Sequence, residues 1–346
     1  MTRAAVLAGV GAALPPRVVT NDELAQRLDT SDEWIRTRTG IRQRHVVDPG
    51  TATGDLAERA GRRALASAAA TSGRPARADL LILATTTPDR PCPATAPDVA
   101  ARLGLGGIPA YDVNAVCSGF LYALAAAQGH IAAGLAEHVL VVAADTFSTL
   151  LDPRDRTTLA VFGDGAGAVL LRAGEHGEPG ALLGLGLGSD GTRADLITVR
   201  AGGSARPLRG PGADAEVADG DRYFSMIGGE TFREAVLKMT ESSREVLGRV
   251  GWDVEDVDAV VGHQANLRIL HAVAEQLDLP TERLVANIDR VGNTAAASIP
   301  LALADAVDAG RLSKGDHVLV TAYGGGATWG AAAFEWPGLA PAPADS

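Results

Sequence analysis

Short uninterrupted apolar runs alternate along this chain with longer Ala/Leu-rich stretches of helical period. In the first half the order is a strand at 80–84, a helix at 96–103, a strand at 110–113, a helix at 118–133 and a strand at 139–143. In the second half it is a strand at 257–261, a helix at 267–277, a strand at 284–288, a helix at 297–309 and a strand at 317–320. Continuous apolar strands between helices predict a buried, mostly parallel sheet, because such strands need cover on both faces. The halves share more than order. Asp79 and Asp258 precede equivalent strands, and His138-Val139-Leu140-Val141 recurs as His317-Val318-Leu319-Val320, both at a spacing of 179 residues (79 to 258, 138 to 317). The pattern predicts an internal duplication of one α/β unit, with halves at 1–173 and 174–346.

Two segments fall outside the repeat. Residues 174–220 are rich in Gly and Pro (Gly184, Gly186, Gly188, Gly202, Pro207, Pro211, Gly212 among them), which predicts a surface excursion or the edge of an active site. The Pro/Ala-rich tail 337–346 is expected to be disordered.

Composition narrows the function. The 346 residues are 46% hydrophobic and 21% charged, ordinary for a packed globular protein. The net charge of −11 argues against nucleic acid as the main partner, since no basic excess exists to neutralise phosphates. Two cysteines, Cys92 and Cys117, cannot make a disulfide scaffold, and neither CxxC nor HExxH occurs, so no metal site is expected. No apolar run approaches a membrane span, and residues 1–14 are a poor signal peptide. A soluble cytoplasmic protein is expected.

Four places carry candidate chemistry. Cys117 lies between the strand at 110–113 and the helix at 118–133. A thiol at a helix N-terminus is expected to favour the thiolate relative to the usual pKa of about 8.5, and Ser118 and Gly119 leave room for a substrate. A lone cysteine is more commonly buried and inert. His263 follows an apolar strand and precedes a helix, at the strand end where open α/β sheets place their sites; a capping histidine is the plain alternative. The rival His271 falls mid-helix. Asn293, in Gly292-Asn293-Thr294, reads alone as a turn or cap residue. In the repeat, its strand–turn–helix matches that of Cys117. Gly324-Gly325-Gly326 follows the strand at 317–320 and exposes backbone N–H groups, either as a plain loop or as an oxyanion hole. Gly9-x-Gly11 leads into Pro15-Pro16 rather than a helix, so it is no dinucleotide site, and Gly163-Asp164-Gly165-Ala166-Gly167 reads as structural.

Together with Thr30-Ser31-Asp32-Glu33-Trp34-Ile35, Thr37-Arg38-Thr39-Gly40-Ile41-Arg42 and His263-Gln264-Ala265-Asn266-Leu267-Arg268, these segments resemble the β-ketoacyl-acyl-carrier-protein synthase III family along nearly the whole chain. The resemblance implies the α/β thiolase fold, duplicated halves in five layers (αβαβα), and a homodimer. It implies Cys117 as acyl-accepting nucleophile, His263 and Asn293 as stabilisers of the malonyl-derived enolate, and the N–H groups of Cys117 and Gly325 as oxyanion hole. Trp34, Arg38 and Arg156 match the residues that contact the CoA nucleotide, and Arg233 and Arg268 match part of the patch for acyl-carrier protein. Acyl-CoA and malonyl-acyl-carrier protein would be the substrates, with no cofactor, nucleic acid or membrane.

The chain departs from the family pattern in places. Cys92 stands where well-known members carry Phe at the end of the acyl pocket, and Ala327 replaces a bulky aromatic; both changes imply a larger acyl site. Glu275-Gln276 replaces lysines of the carrier patch, and Gly262 stands where Pro is usual. The expected function is decarboxylative condensation, in fatty-acid initiation or polyketide priming. The alternative is an acyltransferase passing the acyl group to an alcohol or amine, which Asn293 disfavours because an amide cannot tune His263 as a carboxylate would. A thiolase proper would need a second cysteine near 322–330, and none is there. A non-catalytic scaffold does not require the Cys117, His263 and Asn293 set.

Overall fold

The computed structural model describes residues 3–210, 213 and 217–343. Residues 1–2 of the N-terminal stretch, Pro211, Gly212 and 214–216 of the Gly/Pro-rich segment, and 344–346 of the tail lie outside the described residues.

The strands in chain order are β1 (Ala4–Ala13), β2 (Val18–Thr20), β3 (Gln43–His45), β4 (Leu80–Ala84), β5 (Ala110–Val113), β6 (His138–Asp145), β7 (Gly165–Gly174), β8 (Leu182–Ser189), β9 (Ile197–Val199), β10 (Phe224–Met226), β11 (Ala259–Gly262), β12 (His317–Gly324) and β13 (Thr328–Glu335). One sheet has the order β1-β7-β6-β4-β5 and the other β11-β12-β13-β8. Two short ribbons, β2 with β3 and β9 with β10, lie outside them. In the first sheet β6, β4 and β5 run parallel, while β1 and β7 are antiparallel to their neighbours. The second sheet repeats these directions in the order β8-β13-β12-β11, and a single parallel bridge from Val260 to Leu284 stands where β5 does in the first. The predicted strand at 284–288 is therefore reduced to that bridge. Val285 N–H donates to Val260, but the buried Gln264 side chain captures the Asn287 N–H and turns the chain away.

The sheets sandwich the helices Gly119–Ala132 and Ser298–Asp308, whose residues share one core with the inner faces of both sheets. The helix Thr53–Ser72 covers the outer face of the first sheet, and Gly228–Val250 with Leu267–Gln276 covers that of the second. This is the expected five-layer αβαβα arrangement. Gly119–Ala132 buries Phe120, Leu121, Ala123, Leu124, Ala127 and Ile131, while Gln128 and His130 near its end are only half-buried. The Gly9 and Gly11 pair lets β1 press on the helix Thr53–Ser72, since a Cβ at either position would lie 2.3 Å from backbone atoms of Ala64. Among the described residues no helix is long and apolar enough to cross a membrane.

The repeat is visible in hydrogen bonds. Asp79 N–H donates to His138 O and Asp258 N–H to His317 O, while each aspartate carboxylate accepts the N–H of the same histidine, His138 or His317. The same spacing carries into the turns that hold the candidate site.

Candidate active site

β5 runs into a strained turn. The Asn114 carboxamide oxygen accepts the Val116 N–H at 3.2 Å, and Val116 takes a left-handed φ of 45°, a conformation that costs a β-branched residue about 1–3 kcal/mol. The 3-10 turn Val116–Ser118 then feeds the helix Gly119–Ala132, placing Cys117 at its start. The second half builds the same turn. Asn293 Oδ1 accepts the Ala295 N–H at 2.9 Å, Ala295 has φ 49°, and the 3-10 turn Ala295–Ala297 leads into the helix Ser298–Asp308. The detailed register thus pairs Asn293 with Asn114, and Cys117 with Ala296; Asn293 is not the positional twin of Cys117. Its Oδ1 is committed to the turn, which leaves the amide NH₂ as the end that can donate.

The glycine-rich turn is laced to the cysteine turn. Thr328 Oγ1 is 3.0 Å from both Ala115 O and Gly325 O, and Ser118 Oγ donates to Thr328 O at 2.9 Å. Gly324 lies against Cys117, where a Cβ would stand 2.8 Å from the Cys117 amide nitrogen. Gly325 is thereby held beside Cys117.

His263 directly follows β11, and its N–H donates to Thr321 O on β12. Its Nδ1 is 2.7 Å from Ser298 Oγ, and that oxygen also accepts the Gln264 N–H at 3.3 Å. When the Ser298 hydroxyl donates to Nδ1, the ring proton is on Nε2. Nε2 is buried and has no partner among the described residues. Burial pulls the His263 pKa down to about 3, so the ring is neutral. The rival His271 is exposed on its helix.

Cys117 corrects an expectation. It is only 7% exposed, and burial pushes its thiol up to about 12, with the Asp145 carboxylate adding to the effect and the cysteine's own N–H opposing it. Desolvation outweighs the helix terminus, so the thiol is protonated at neutral pH. Asp145 is itself fully buried. It accepts from Thr85, Thr86, Thr87 and Ala296, yet burial still raises its pKa to about 7.

Cys117, His263 and Asn293 line one small cavity of about 40 Å³. Ile197 and Phe224 separate it from a larger cleft of about 990 Å³ that begins at Val116 and Gly325 and runs past Phe147 and Leu150. These walls come from the β9–β10 ribbon, so the Gly/Pro-rich segment does border the site. Phe147, Phe162 and Phe224 pack with centroids 4.3–5.0 Å apart beside Cys117. None of these three was singled out from the sequence, nor were Ser298 and Asp145.

The remaining candidates divide. Trp34 meets both Arg38 and Arg156, whose guanidinium carbons lie 4.7 and 5.2 Å from its ring centroid. Asn266 ties this cluster to the His263 segment by donating to Arg38 O. Arg268 lies over Phe232, the neighbour of Arg233, and both arginines are exposed with no ion pair among the described residues. Cys92 is exposed beside Pro91 and lines neither cavity. Ala327 is buried in the outer core near Tyr323 and Met239, exchanging backbone hydrogen bonds with Asp190, and also lines neither.

A duplicated α/β fold with a buried cysteine, a neutral histidine and an amide on one cavity defines the thiolase-fold condensing enzymes. The comparisons with known proteins narrow the class. A family described as 3-Oxoacyl-[acyl-carrier-protein (ACP)] synthase III matches residues 111–191, and its C-terminal part matches 247–336. Beta-ketoacyl-[acyl-carrier-protein] synthase III 3 of Streptomyces coelicolor is 60% identical over 341 residues, covering 99% of this chain and 100% of the relative. The Pseudomonas aeruginosa synthase III is 53% identical over 342 residues, covering 99% of each. Its crystal structure superposes with a TM-score of 0.89 at 52% identity, covering 98% of this chain and 100% of that one. A priming β-ketosynthase from a polyketide pathway gives 0.86 at 32% identity, covering 99% and 98%. The chain belongs to the 3-oxoacyl-[acyl-carrier-protein] synthase III family, a family of condensing transferases.

Proposed function

We propose that this chain condenses an acyl-CoA primer with malonyl-acyl-carrier protein, releasing CO₂ and giving a 3-oxoacyl-carrier protein. The convergence of Cys117, His263 and Asn293 on one cavity carries the reading. Cys117 sulfur attacks the acyl-CoA carbonyl; the thioester forms and CoA leaves, taking up the thiol proton. The malonyl thioester oxygen then meets His263 Nε2–H and the Asn293 NH₂. As CO₂ departs, these donors take up the charge that develops on that oxygen, which is where fixed dipoles lower a barrier most. The enolate carbon attacks the acyl-Cys117 carbonyl, whose oxyanion is held by the Cys117 and Gly325 N–H groups. Cys117 leaves as the thiolate.

The proposal calls on no metal or organic cofactor, because charge moves only between thioester oxygen, CO₂ and sulfur. Trp34, Arg38 and Arg156 would hold the CoA nucleotide at the mouth. Arg233 and Arg268 would draw the acidic carrier, a local positive patch on an acidic protein. The outer edge of β5, unpaired among the described residues, supports a homodimer joined strand to strand. A cytoplasmic location fits an enzyme that needs Cys117 reduced.

Intact-protein mass spectrometry with a panel of acyl-CoAs tests the reading. One acyl mass on the Cys117 peptide, discharged by malonyl-carrier protein with CO₂ release, is expected. An adduct that malonyl-carrier protein leaves in place would favour transfer to another acceptor.

A further inference from the structure

Asn293 is held by a segment that belongs to neither sheet. Its N–H donates to Val161 O and its carbonyl accepts the Gly163 N–H, both at 2.9 Å. This isolated bridge fixes the backbone from which the Asn293 amide projects. Residues 160–163 are in turn anchored by β3. Arg44, a β3 residue only 1% exposed, donates from Nη2 to Ala160 O at 2.6 Å, and Asp164 N–H donates to His45 O at 2.8 Å. Between these ties the Arg44 stem packs against both sides of the bridge. A Cβ on Gly163 would lie 3.1 Å from Arg44 Cβ, and one on Gly292 would lie 2.9 Å from it. The guanidinium is anchored on its other side as well. Nη1 donates to Val19 O at 3.1 Å and Nη2 to Asn21 Oδ1 at 2.9 Å. Asn21 itself donates to Ile41 O and to Asp32 Oδ1, both at 2.8 Å.

Resting on the proposed condensation, we infer that Arg44 is a positioning residue for Asn293, holding segment 160–163 so that the asparagine amide meets the malonyl thioester oxygen beside His263. Its N–H groups go to three neutral oxygens, of Val19, Asn21 and Ala160. Burial lowers its pKa to about 10 against the pull of Glu23, which is itself paired with Arg17 at 3.0 Å, so Arg44 keeps its charge at neutral pH. Buried cations add little to stability, because desolvation offsets the contacts they gain. An apolar side chain would fill the space without that cost. What it would lack is the rigid fork, which reaches β2, the start of the helix Asn21–Ala25 and Ala160 at once. The fork therefore serves placement. Asn293 depends on placement because its Oδ1 is committed to the Ala295 N–H and only the NH₂ is left to donate. A small tilt of its backbone swings that donor off the reacting oxygen, and such misplacement is costly in rate. Cys117 is laced to the glycine-rich turn through Thr328 and Ser118 instead, so its acylation does not run through Arg44.

The test compares Arg44→Met and Arg44→Lys with wild type. Two rates are read: acylation of Cys117 from acyl-CoA, and CO₂ release from malonyl-carrier protein by the acylated enzyme. Arg44→Met should lower CO₂ release about 10- to 100-fold, while acylation stays within about threefold. Arg44→Lys keeps the charge and the stem but not the fork, so its fall in CO₂ release should be only several-fold. Hydrogen–deuterium exchange gives a second readout. Peptides spanning 158–164 and 289–296 should exchange about 5- to 10-fold faster in Arg44→Met, the loss of one hydrogen bond, with the Cys117 peptide unchanged. Unchanged CO₂ release, equal losses in both rates, or unchanged exchange at 289–296 would overturn the role. If Arg44→Met does not fold, Arg44→Lys gives the same comparison. A wild-type enzyme that releases no CO₂ would instead sink the condensing reading, and the exchange at 158–164 and 289–296 would still test the brace.

Discussion

Ser298 Oγ stands 2.7 Å from His263 Nδ1 while accepting the Gln264 N–H, so a single hydroxyl sets the ring against its own backbone segment. Ser298→Ala removes that setting and leaves Nδ1 buried without a partner. The condensation rate should fall about 10- to 100-fold, the range for a lost second partner of a catalytic group. Acylation of Cys117 should be unchanged, and Ser298→Thr should recover much of the rate. Single-turnover measurement of each half-reaction checks this; equal losses in both halves would show a merely structural role.

The thiol at about 12 makes acylation and alkylation of Cys117 climb with pH well past neutrality. Burial is the main cause and Asp145 the second. Asp145→Asn removes the second and should lower the thiol pKa, so that iodoacetamide modifies Cys117 several-fold faster at about pH 8. Mass-mapped alkylation rates against pH test it. A profile that does not move would mean that the Asp145 charge does not reach the sulfur.

Asp145 and His263 pull stability in opposite directions. Asp145 rises from 3.8 to about 7 on folding, so its contribution is present below about pH 4 and is lost as pH rises through 7. His263 falls from 6.5 to about 3, so its contribution is present above 6.5 and is lost as pH falls toward 3. Asp145→Asn leaves only the histidine's slope. Its stability relative to wild type should therefore increase from about pH 4 to pH 7, read as the difference in urea midpoints. A constant difference would refute the raised aspartate.

Thr328 holds the two turns that carry the proposed oxyanion donors. Thr328→Val keeps its shape and drops both hydroxyl contacts, to Ala115 O and Gly325 O. Stability should fall by about 1–2 kcal/mol, and kcat by more than tenfold as Gly325 drifts from Cys117. A variant with reduced Tm but unchanged kcat would show that the lacing is not needed for catalysis.

Arg268→Glu places a negative charge on the surface proposed for the carrier. The KM for malonyl-carrier protein should rise about tenfold or more at low salt, with acyl-CoA use little changed. Equal losses for both substrates would remove the patch.

The sheets, the duplication and the Cys117, His263 and Asn293 set were legible because each of these side chains lies just past an apolar strand or at the turn that repeats it. Trp34, Arg38 and Arg156 were legible only through resemblance, since nothing in the local pattern brings position 156 to position 34. Ser298 hides in a small-residue helix, and Asp145 reads as an ordinary strand end. Ile197 and Phe224 are carried by a three-residue ribbon inside and beside a glycine-rich stretch, too short to show a period. The direction of the Cys117 shift was misread for a related reason. The helix terminus is local and visible in sequence, while the burial that overrides it is supplied by Phe147, Phe162 and Phe224 from distant positions.

β6 and β12 end in different residues, Asp145 and Gly324, at the same spacing of 179 that separates the other matched pairs (145 to 324). In one copy the carboxylate reaches across and occupies the Ala296 N–H. In the other copy no side chain exists to do the same to Cys117, the twin of Ala296. An aspartate at 324, as at 145, would place a carboxylate against the Cys117 N–H, and a glycine at 145 would remove the brace between the halves. This one unequal pair pins one elbow and leaves the other with no side chain over the Cys117 N–H.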